Sequence, residues 1–187
     1  AQNRELLGEY RIGIVGRDQS DAIYQATHLG ALDAARKLSE QYSIDIELLV
    51  FTPNLEQGGS QPASLAGLFI ENADGLIISP AEPETLRPSI EFALEQDQQV
   101  VFFEHQIDNI EPLAAFVADE VKAGRLAAKA LLKELPSRSR VAILINENPD
   151  ASMQDRLKGA RTALGYRRIE KVVRCAPDYQ SAIQAIR

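Results

Sequence analysis

Residues 11–35 read RIGIVGRDQSDAIYQATHLGALDAA, and this stretch indicates the fold. A short apolar run, RIGIV, is followed by a polar loop and then by an amphipathic segment from Asp21 to Tyr42, long enough for a helix of about twenty residues. Asp21 is well suited to cap that helix, because its carboxylate can accept hydrogen bonds from the free amides of the first turn. A strand leading into a helix is the repeating unit of α/β folds.

A second stretch, RVAILINENPDASMQDRLKGARTAL at 140–164, repeats this design. Asp150 takes the place of Asp21 as the expected N-cap, and a Gly-Ala pair recurs in mid-helix at Gly30 and Gly159. Glycine lowers helix stability relative to alanine, so we expect both glycines to permit close packing of helix on sheet. The repeat predicts two lobes of like design: an N-terminal lobe over 1–118 and a partial C-terminal lobe over 119–187.

Apolar runs and amphipathic stretches alternate along the whole chain. They predict strands at 11–15, 44–51, 75–79, 99–103, 113–118, 140–145 and 168–173, and helices at 21–42, 61–72, 84–96, 120–135, 151–164 and from 179 onward. Continuously apolar strands separated by helices are typical of parallel sheets that are covered on both faces. The predicted fold class is therefore α/β.

The fourth predicted strand ends in two titratable side chains. Residues 100–105 read VVFFEH, so Glu104 and His105 directly follow a buried run. Because ligands of open α/β sheets bind at the carboxyl ends of the strands, this position favours ligand contact over a role in the core. A salt bridge or a cap in a loop is the alternative interpretation.

Composition excludes several classes of protein. The net charge is −7 with no block of Lys and Arg, which argues against contact with nucleic acid. A single cysteine, Cys175, rules out a disulfide framework. No apolar run approaches the roughly 18 residues of a membrane span.

Enzyme signatures are absent from the sequence. Gly13 and Gly16 do not complete G-x-G-x-x-G, and no P-loop is present. A phospho-acceptor receiver domain would need an aspartate where this chain has Ser79-Pro80. No spacing of His, Cys and carboxylates suggests a metal site. We therefore expect a protein that is not an enzyme, with no catalytic residue, metal or cofactor.

Taken in order, these segments resemble the first two-thirds of type I periplasmic sugar-binding proteins of the ribose class, whose fold is shared by the effector domains of lactose-repressor-type regulators. The matching runs are RIGIV, GRDQSDAIYQ, GLIISP, FVADEVKAGRLAAKALL and MQDRLKGA. Glu120 replaces the asparagine of the family's Asp-Asn-x-x-x-Gly segment, and Ala160 replaces the Phe of its Arg-x-x-Gly-Phe. The resemblance implies two Rossmann-like lobes with parallel sheets, the second lobe incomplete because the chain ends at Arg187.

The resemblance also implies a set of ligand-binding residues. They are Asp21, Ile23, Tyr24, Glu104, His105 and, from the second lobe, Arg156. Ile23-Tyr24 stands where the family has a Phe pair, and Glu104-His105 stands where it has Asp-Arg. Structural roles remain open at this stage: a core position for Tyr24, a helix cap for Asp21 and a solvated surface for Arg156.

The implied function is capture of a sugar or sugar-like polyol between two hinged lobes for ABC-type import, with an ABC transporter permease as partner and a periplasmic or extracellular location. The alternatives are the effector-binding domain of a transcription regulator, which would be cytoplasmic, and the extracellular sensor of a signalling receptor. The chain begins at Ala1 instead of Met, so we expect that an upstream segment was removed.

Overall fold

A computed structural model describes residues 6–165, 168–176 and 178–186. The chain divides into two compact units, Ala1–Val117 and Ala118–Arg187. Within the described residues no helix is both long and apolar enough to cross a bilayer.

Strands and helices alternate as predicted. The strands are β1 (Gly8–Val15), β2 (Ile44–Val50), β3 (Gly75–Ile78), β4 (Gln99–Glu104), β5 (Ala114–Val117), β6 (Val141–Asn146) and β7 (Ile169–Cys175). The helices are α1 (Ala22–Tyr42), α2 (Gln61–Ile70), α3 (Pro83–Glu95), α4 (Glu120–Glu134), α5 (Ala151–Leu164) and α6 (Tyr179–Ile186). The predicted α/β class is confirmed.

The first unit is built on a five-stranded sheet in the order β2-β1-β3-β4-β5, and every neighbouring pair is parallel. β3 lies in the middle and pairs with β1 and β4. Parallel neighbours need a crossover, and helices α1 to α3 connect β1 through β4. This order gives the unit the doubly wound arrangement in which ligand sites form at the carboxyl edge.

One hydrophobic core covers the side of the sheet that faces α2 and α3. Ile78 and Phe102, from β3 and β4, are fully buried there with Leu65 of α2 and Ile90 of α3. Burying each such side chain contributes roughly 1.5 to 3 kcal/mol. The core therefore holds the central strands rigidly, and the loops at their carboxyl ends start from fixed positions.

Aspartates begin three helices. Asp21 accepts hydrogen bonds from the amides of Ile23 and Tyr24 at the start of α1. Asp150 accepts a hydrogen bond from the amide of Met153 at the start of α5, so both predicted caps are confirmed. Asp119, which matches the family's Asp, caps α4.

The second unit pairs β6 with β7 in parallel and packs α4 tightly against α5. A Cβ atom added to Gly124 would lie 1.9 Å from the carbonyl oxygen of Arg156, and one added to Gly159 would lie 1.9 Å from that of Val121. The two helix backbones therefore touch, and only glycine allows this approach.

The sequence predicted that both mid-helix glycines permit close packing of helix on sheet. This prediction is wrong for Gly30 and only partly right for Gly159. A Cβ added to Gly30 would meet nothing within 4 Å, so no close packing compensates for this glycine. Gly159 does permit close packing, but its neighbour is the α4 backbone and not the sheet. The Gly-Ala pairs at these two positions therefore have different surroundings, although their sequences are alike.

We predict that Gly124→Ala lowers the free energy of unfolding by at least about 2 kcal/mol, because the added methyl group must push the two helices apart. The matched control is Gly30→Ala, which should raise stability by up to about 1 kcal/mol through higher helix propensity. Urea unfolding followed by circular dichroism measures both effects, and hydrogen exchange of residues 120–164 localises that of Gly124→Ala. Equal effects of the two substitutions would refute the contact.

Candidate functional site

The carboxyl ends of three strands meet at one edge of the first unit's sheet. Val15 at the end of β1 pairs with Ile78 at the end of β3, which pairs with Phe102 in β4. The residues that follow these positions are therefore neighbours in space although they are distant in sequence. They include Arg17 and Glu104.

Arg17 is the charge at the centre of this edge. Its Nη2 donates to Oδ2 of Asp21 at 2.7 Å and lies 3.4 Å from Oε1 of Glu104. The side chains are 33%, 17% and 18% exposed, so all three are partly shielded but reachable. One guanidinium thus joins two carboxylates that come from different strand ends.

Glu104 adopts an uncommon backbone conformation. Its φ is 61°, and the amide of His105 donates to the carbonyl of Phe103 at 2.6 Å. A three-residue turn closed by a hydrogen bond between residues i and i+2, with a positive φ at the central residue, is a γ-turn of the rare, strained class. Buried Ser79 donates to Oε2 of Glu104 at 3.1 Å. Strained residues that are held by their surroundings cluster at functional sites, which favours such a role for Glu104.

His105 follows directly in this turn. Its Nε2 lies 3.7 Å from Oε1 of Glu104, and its side chain is 18% exposed. Asp21 and Glu104 therefore both contact Arg17, and His105 lies beside Glu104; ligand contact by these three predicted residues stays a prediction.

The two carboxylate oxygens of Asp21 have separate partners. Oδ1 accepts from the amides of Ile23 and Tyr24 at 2.8 and 3.2 Å, while Oδ2 faces Arg17. Partial burial opposes ionisation of this carboxyl group, but the hydrogen bonds from Arg17 and the two amides outweigh it and lower its pKa. Asp21 is thus ionised at neutral pH.

The two apolar residues of the predicted set differ in exposure. Tyr24 is 5% exposed and stacks on His28 with ring centroids 5.8 Å apart. A Cβ added to Gly16 would lie 2.4 Å from the Tyr24 ring, so this ring lies directly against the backbone. Tyr24 therefore packs in the unit, and a ligand contact by it stays a prediction. Ile23, at 50% exposure, is accessible on the first turn of α1.

Gln61 braces the loops at this edge. Its Nε2 donates to the carbonyls of Gly16 and Ser79 at 2.8 and 2.7 Å, and its Oε1 accepts from the amide of Ala81 at 2.9 Å. The side chain is 6% exposed, so these bonds are protected from water. Gln61 holds the loop after β1 at a fixed distance from the loop after β3.

A hollow of about 480 Å³ opens beside these loops, which lies within the usual range for small-ligand sites. Its lining combines charged, polar and apolar groups: Arg17, Asp18, Asp21, Leu55, Ser60, Gln61, Pro62, Ala81, Glu82, Thr85 and Leu86. Glu104 is connected to the hollow through Arg17.

Arg156 belongs to the second unit. Its Nη2 donates to Oε1 of Glu120 at 2.8 Å, and its Nε contacts the other carboxylate oxygen. This hydrogen bond raises the pKa of the guanidinium, which stays charged. Arg156 thus ties α5 to α4, and ligand contact by it stays a prediction.

The second unit has a larger hollow of about 770 Å³, lined mainly by α5 and the loop after β6. Its charged residues are Glu147, Asp150, Lys158, Arg161 and Arg174, and Arg156 is not part of the lining. Among the described residues, no group of three or more His, Cys, Asp or Glu side chains is arranged to hold a metal ion.

The sequence profile of the periplasmic binding protein domain matches residues 12–187. The chain belongs to this family. A comparison with curated protein sequences gives no significant match.

Several solved structures share the fold of this chain. A periplasmic ribose ABC transporter protein from Conexibacter woesei aligns with a TM-score of 0.78 at 19% identity, over 95% of this chain and 58% of that one. A myo-inositol binding protein from Caulobacter aligns with a TM-score of 0.71 at 21% identity, over 94% and 58%. A Bacteroides fragilis protein provisionally described as a LacI transcriptional regulator aligns with a TM-score of 0.72 at 17% identity, over 94% and 63%. The chain therefore spans about 60% of the length of these structures.

Sequence reasoning missed three residues of this candidate site. Arg17 is the one basic residue in the loop GRDQSD, and its place two residues beyond β1 was the available signal. Ser79 ends the third apolar run, and in the sequence it served only as an argument against a receiver domain, which needs an aspartate at this place. Nothing in the local sequence marks Gln61, because its partners come from two other loops.

We predict that Gln61→Met lowers the free energy of unfolding of the first unit by about 2 to 4 kcal/mol, since it leaves two carbonyls and one amide without their buried partner. Gln25→Met, at an exposed position of α1, should change stability by less than about 0.5 kcal/mol. Thermal and urea unfolding measure the difference. A Gln61 variant as stable as the Gln25 variant would show that the brace is dispensable.

Asp21 generates a prediction on pH. Because its folded-state pKa is lowered, its stabilising contribution is complete above the unfolded value of about 3.9 and is lost as the pH falls through the folded value. Asp21→Asn keeps a good N-cap but removes the titration. As the pH falls below about 4, the variant should lose less unfolding free energy than the wild type, measured by urea unfolding. A pH dependence identical to that of the wild type would contradict the assignment.

Proposed function

We propose that this chain is the ligand-binding part of a solute-binding protein that captures a sugar or sugar-like polyol between two lobes. In this proposal the units Ala1–Val117 and Ala118–Arg187 are those lobes. The observation that supports it most directly is the cluster of Arg17, Asp21 and Glu104 beside a hollow at the carboxyl edge of a parallel sheet.

The chemistry of this edge suits hydroxyl groups. Each hydroxyl can donate one hydrogen bond and accept others, so it needs both kinds of partner. The carboxylates of Asp21 and Glu104 are acceptors, and the guanidinium of Arg17 is a donor. Leu55 and Pro62 add apolar surface for the carbon face of a ring.

Structural neighbours support the same ligand class. Besides the myo-inositol complex, neighbours of this fold were solved with glycerol, from Mycobacterium smegmatis, and with alpha-D-tagatopyranose, from Agrobacterium vitis. These ligands share a dense array of hydroxyl groups. We therefore place a polyhydroxylated compound in the hollow of the first unit.

Closure of the lobes would complete the site. A ligand that contacts both lobes stabilises the closed state by the difference between its affinities for the closed and open states. Arg156 would supply the contact from the second lobe, exchanging part of its bond with Glu120 for ligand hydroxyls. The destination in this proposal is an ABC permease, with the protein in the periplasm or outside the cell.

A second candidate is the effector-binding domain of a transcription regulator. The similarity to the Bacteroides fragilis protein favours it, because that protein is described as a LacI transcriptional regulator. Such a protein would be cytoplasmic, and the present segment would bind the small molecule without touching DNA. An upstream DNA-binding headpiece in the complete gene product would decide for this candidate.

We expect isothermal titration calorimetry to detect binding of at least one of D-ribose, D-galactose, myo-inositol and glycerol. These compounds present hydroxyl arrays of different size and geometry to the same donor and acceptors. Binding of none of them would contradict the proposed function.

Glu104→Ala should weaken binding of the best of these ligands by about tenfold to a hundredfold, because a charged acceptor is lost. Glu95→Ala, at the exposed end of α3, is the matched control and should bind as the wild type does. Calorimetry with both variants measures the ratio. Equal affinities of the two variants would remove Glu104 from the site.

A further inference from the structure

The hollow of the first unit carries an unbalanced set of charges. Among the described residues that line it, Asp18, Asp21 and Glu82 are acidic and Arg17 is the one cation. Glu104, which lies 3.4 Å from Arg17 and has His105 beside it, adds a fourth acidic group. Two carboxyl groups, of Asp21 and Glu104, therefore contact the Arg17 guanidinium, and two more line the same hollow.

The two carboxylates nearest to Arg17 are fixed in place. Asp21 is held by the first turn of α1, and Glu104 is held by its γ-turn and by Ser79. Neither can swing away to make room for a ligand that carries negative charge. An incoming anion would gain one guanidinium but would face these fixed carboxylates at the same time.

Asp18 is fixed as well. It accepts hydrogen bonds from the amides of Ser20 and Leu55, both at 2.8 Å, and from the Ser20 hydroxyl. These bonds, with the Ser20 hydroxyl as the largest contribution, lower the pKa of Asp18. The negative charge at this wall of the hollow is therefore permanent under physiological conditions.

We propose that Arg17 is the hydrogen-bond donor that selects the ligand of this half-site, and that the carboxylates around it restrict that ligand to uncharged or cationic polyhydroxy compounds. This inference rests on the proposed function and narrows it. Sugar acids and sugar phosphates are excluded, although they carry the same hydroxyl arrays.

Three matched pairs of compounds test the charge rule: D-ribose with D-ribose 5-phosphate, D-galactose with D-galacturonate, and myo-inositol with myo-inositol 1-phosphate. Calorimetry on the wild-type chain should show binding of the uncharged member of at least one pair. Its anionic counterpart should bind at least about a hundredfold more weakly, because juxtaposed like charges are costly.

Glu104→Gln separates charge from size. The substitution keeps the length of the side chain but removes one negative charge. It should therefore reduce the ratio between the affinities for the uncharged and the anionic compound by at least about tenfold. A purely steric exclusion of the larger anion would leave this ratio unchanged. That result would overturn the charge rule.

Arg17→Gln tests the donor. It should weaken the uncharged ligand by about tenfold to a hundredfold, while Arg36→Gln, which breaks a surface pair with Asp33 on α1, should not. Arg17→Lys keeps the charge between the two carboxylates and should recover part of the affinity. Melting temperatures of all variants identify any loss of fold. If Arg17→Gln does not fold, the ratio of the Arg17→Lys affinity to the wild-type affinity for the uncharged ligand decides.

The outcomes distinguish the two proposals. Preferred binding of an anionic member, or an unchanged affinity in Arg17→Gln, would overturn this inference and leave the proposed function intact. Absence of binding by every compound would overturn both.

Discussion

The parallel pairing of β3 with β1 on one side and β4 on the other is the constraint on which the rest of the first unit depends. It aligns Val15, Ile78 and Phe102, so three loops begin side by side. The buried core against α2 and α3 keeps this register, because a shifted strand would expose its apolar side chains. Residues as distant in sequence as Arg17 and Glu104 consequently meet at one edge.

What assembles at that edge is a set of polar groups held by different means. Gln61 bridges two loops through buried hydrogen bonds. The γ-turn fixes the backbone of Glu104, and hydrogen bonds to the first turn of α1 fix the carboxylate of Asp21. Such fixed geometry lowers the cost of ordering side chains when a ligand binds. The one guanidinium at the centre, Arg17, gains its importance from the carboxylates that these devices hold around it.

The strands, the helices and the caps at Asp21 and Asp150 were predictable, because periodicity and capping are local properties of the sequence. Contacts between distant segments were not. Gly30 and Gly159 occupy equivalent places in the repeat, yet only Gly159 meets another helix. For the same reason sequence reasoning found Asp21 and Glu104 but overlooked Arg17, which joins them only once β1 and β4 are placed in the sheet.

The central claim is that a polyhydroxylated ligand binds at the carboxyl edge of the first sheet. Amide chemical shifts of the ¹⁵N-labelled chain, recorded during titration with D-ribose, D-galactose and myo-inositol in turn, test it most directly. The account predicts that at least one compound shifts the signals of Arg17, Ser79, Glu104 and His105 together. Shifts confined to other parts of the chain, or no shift with any of the three, would contradict it.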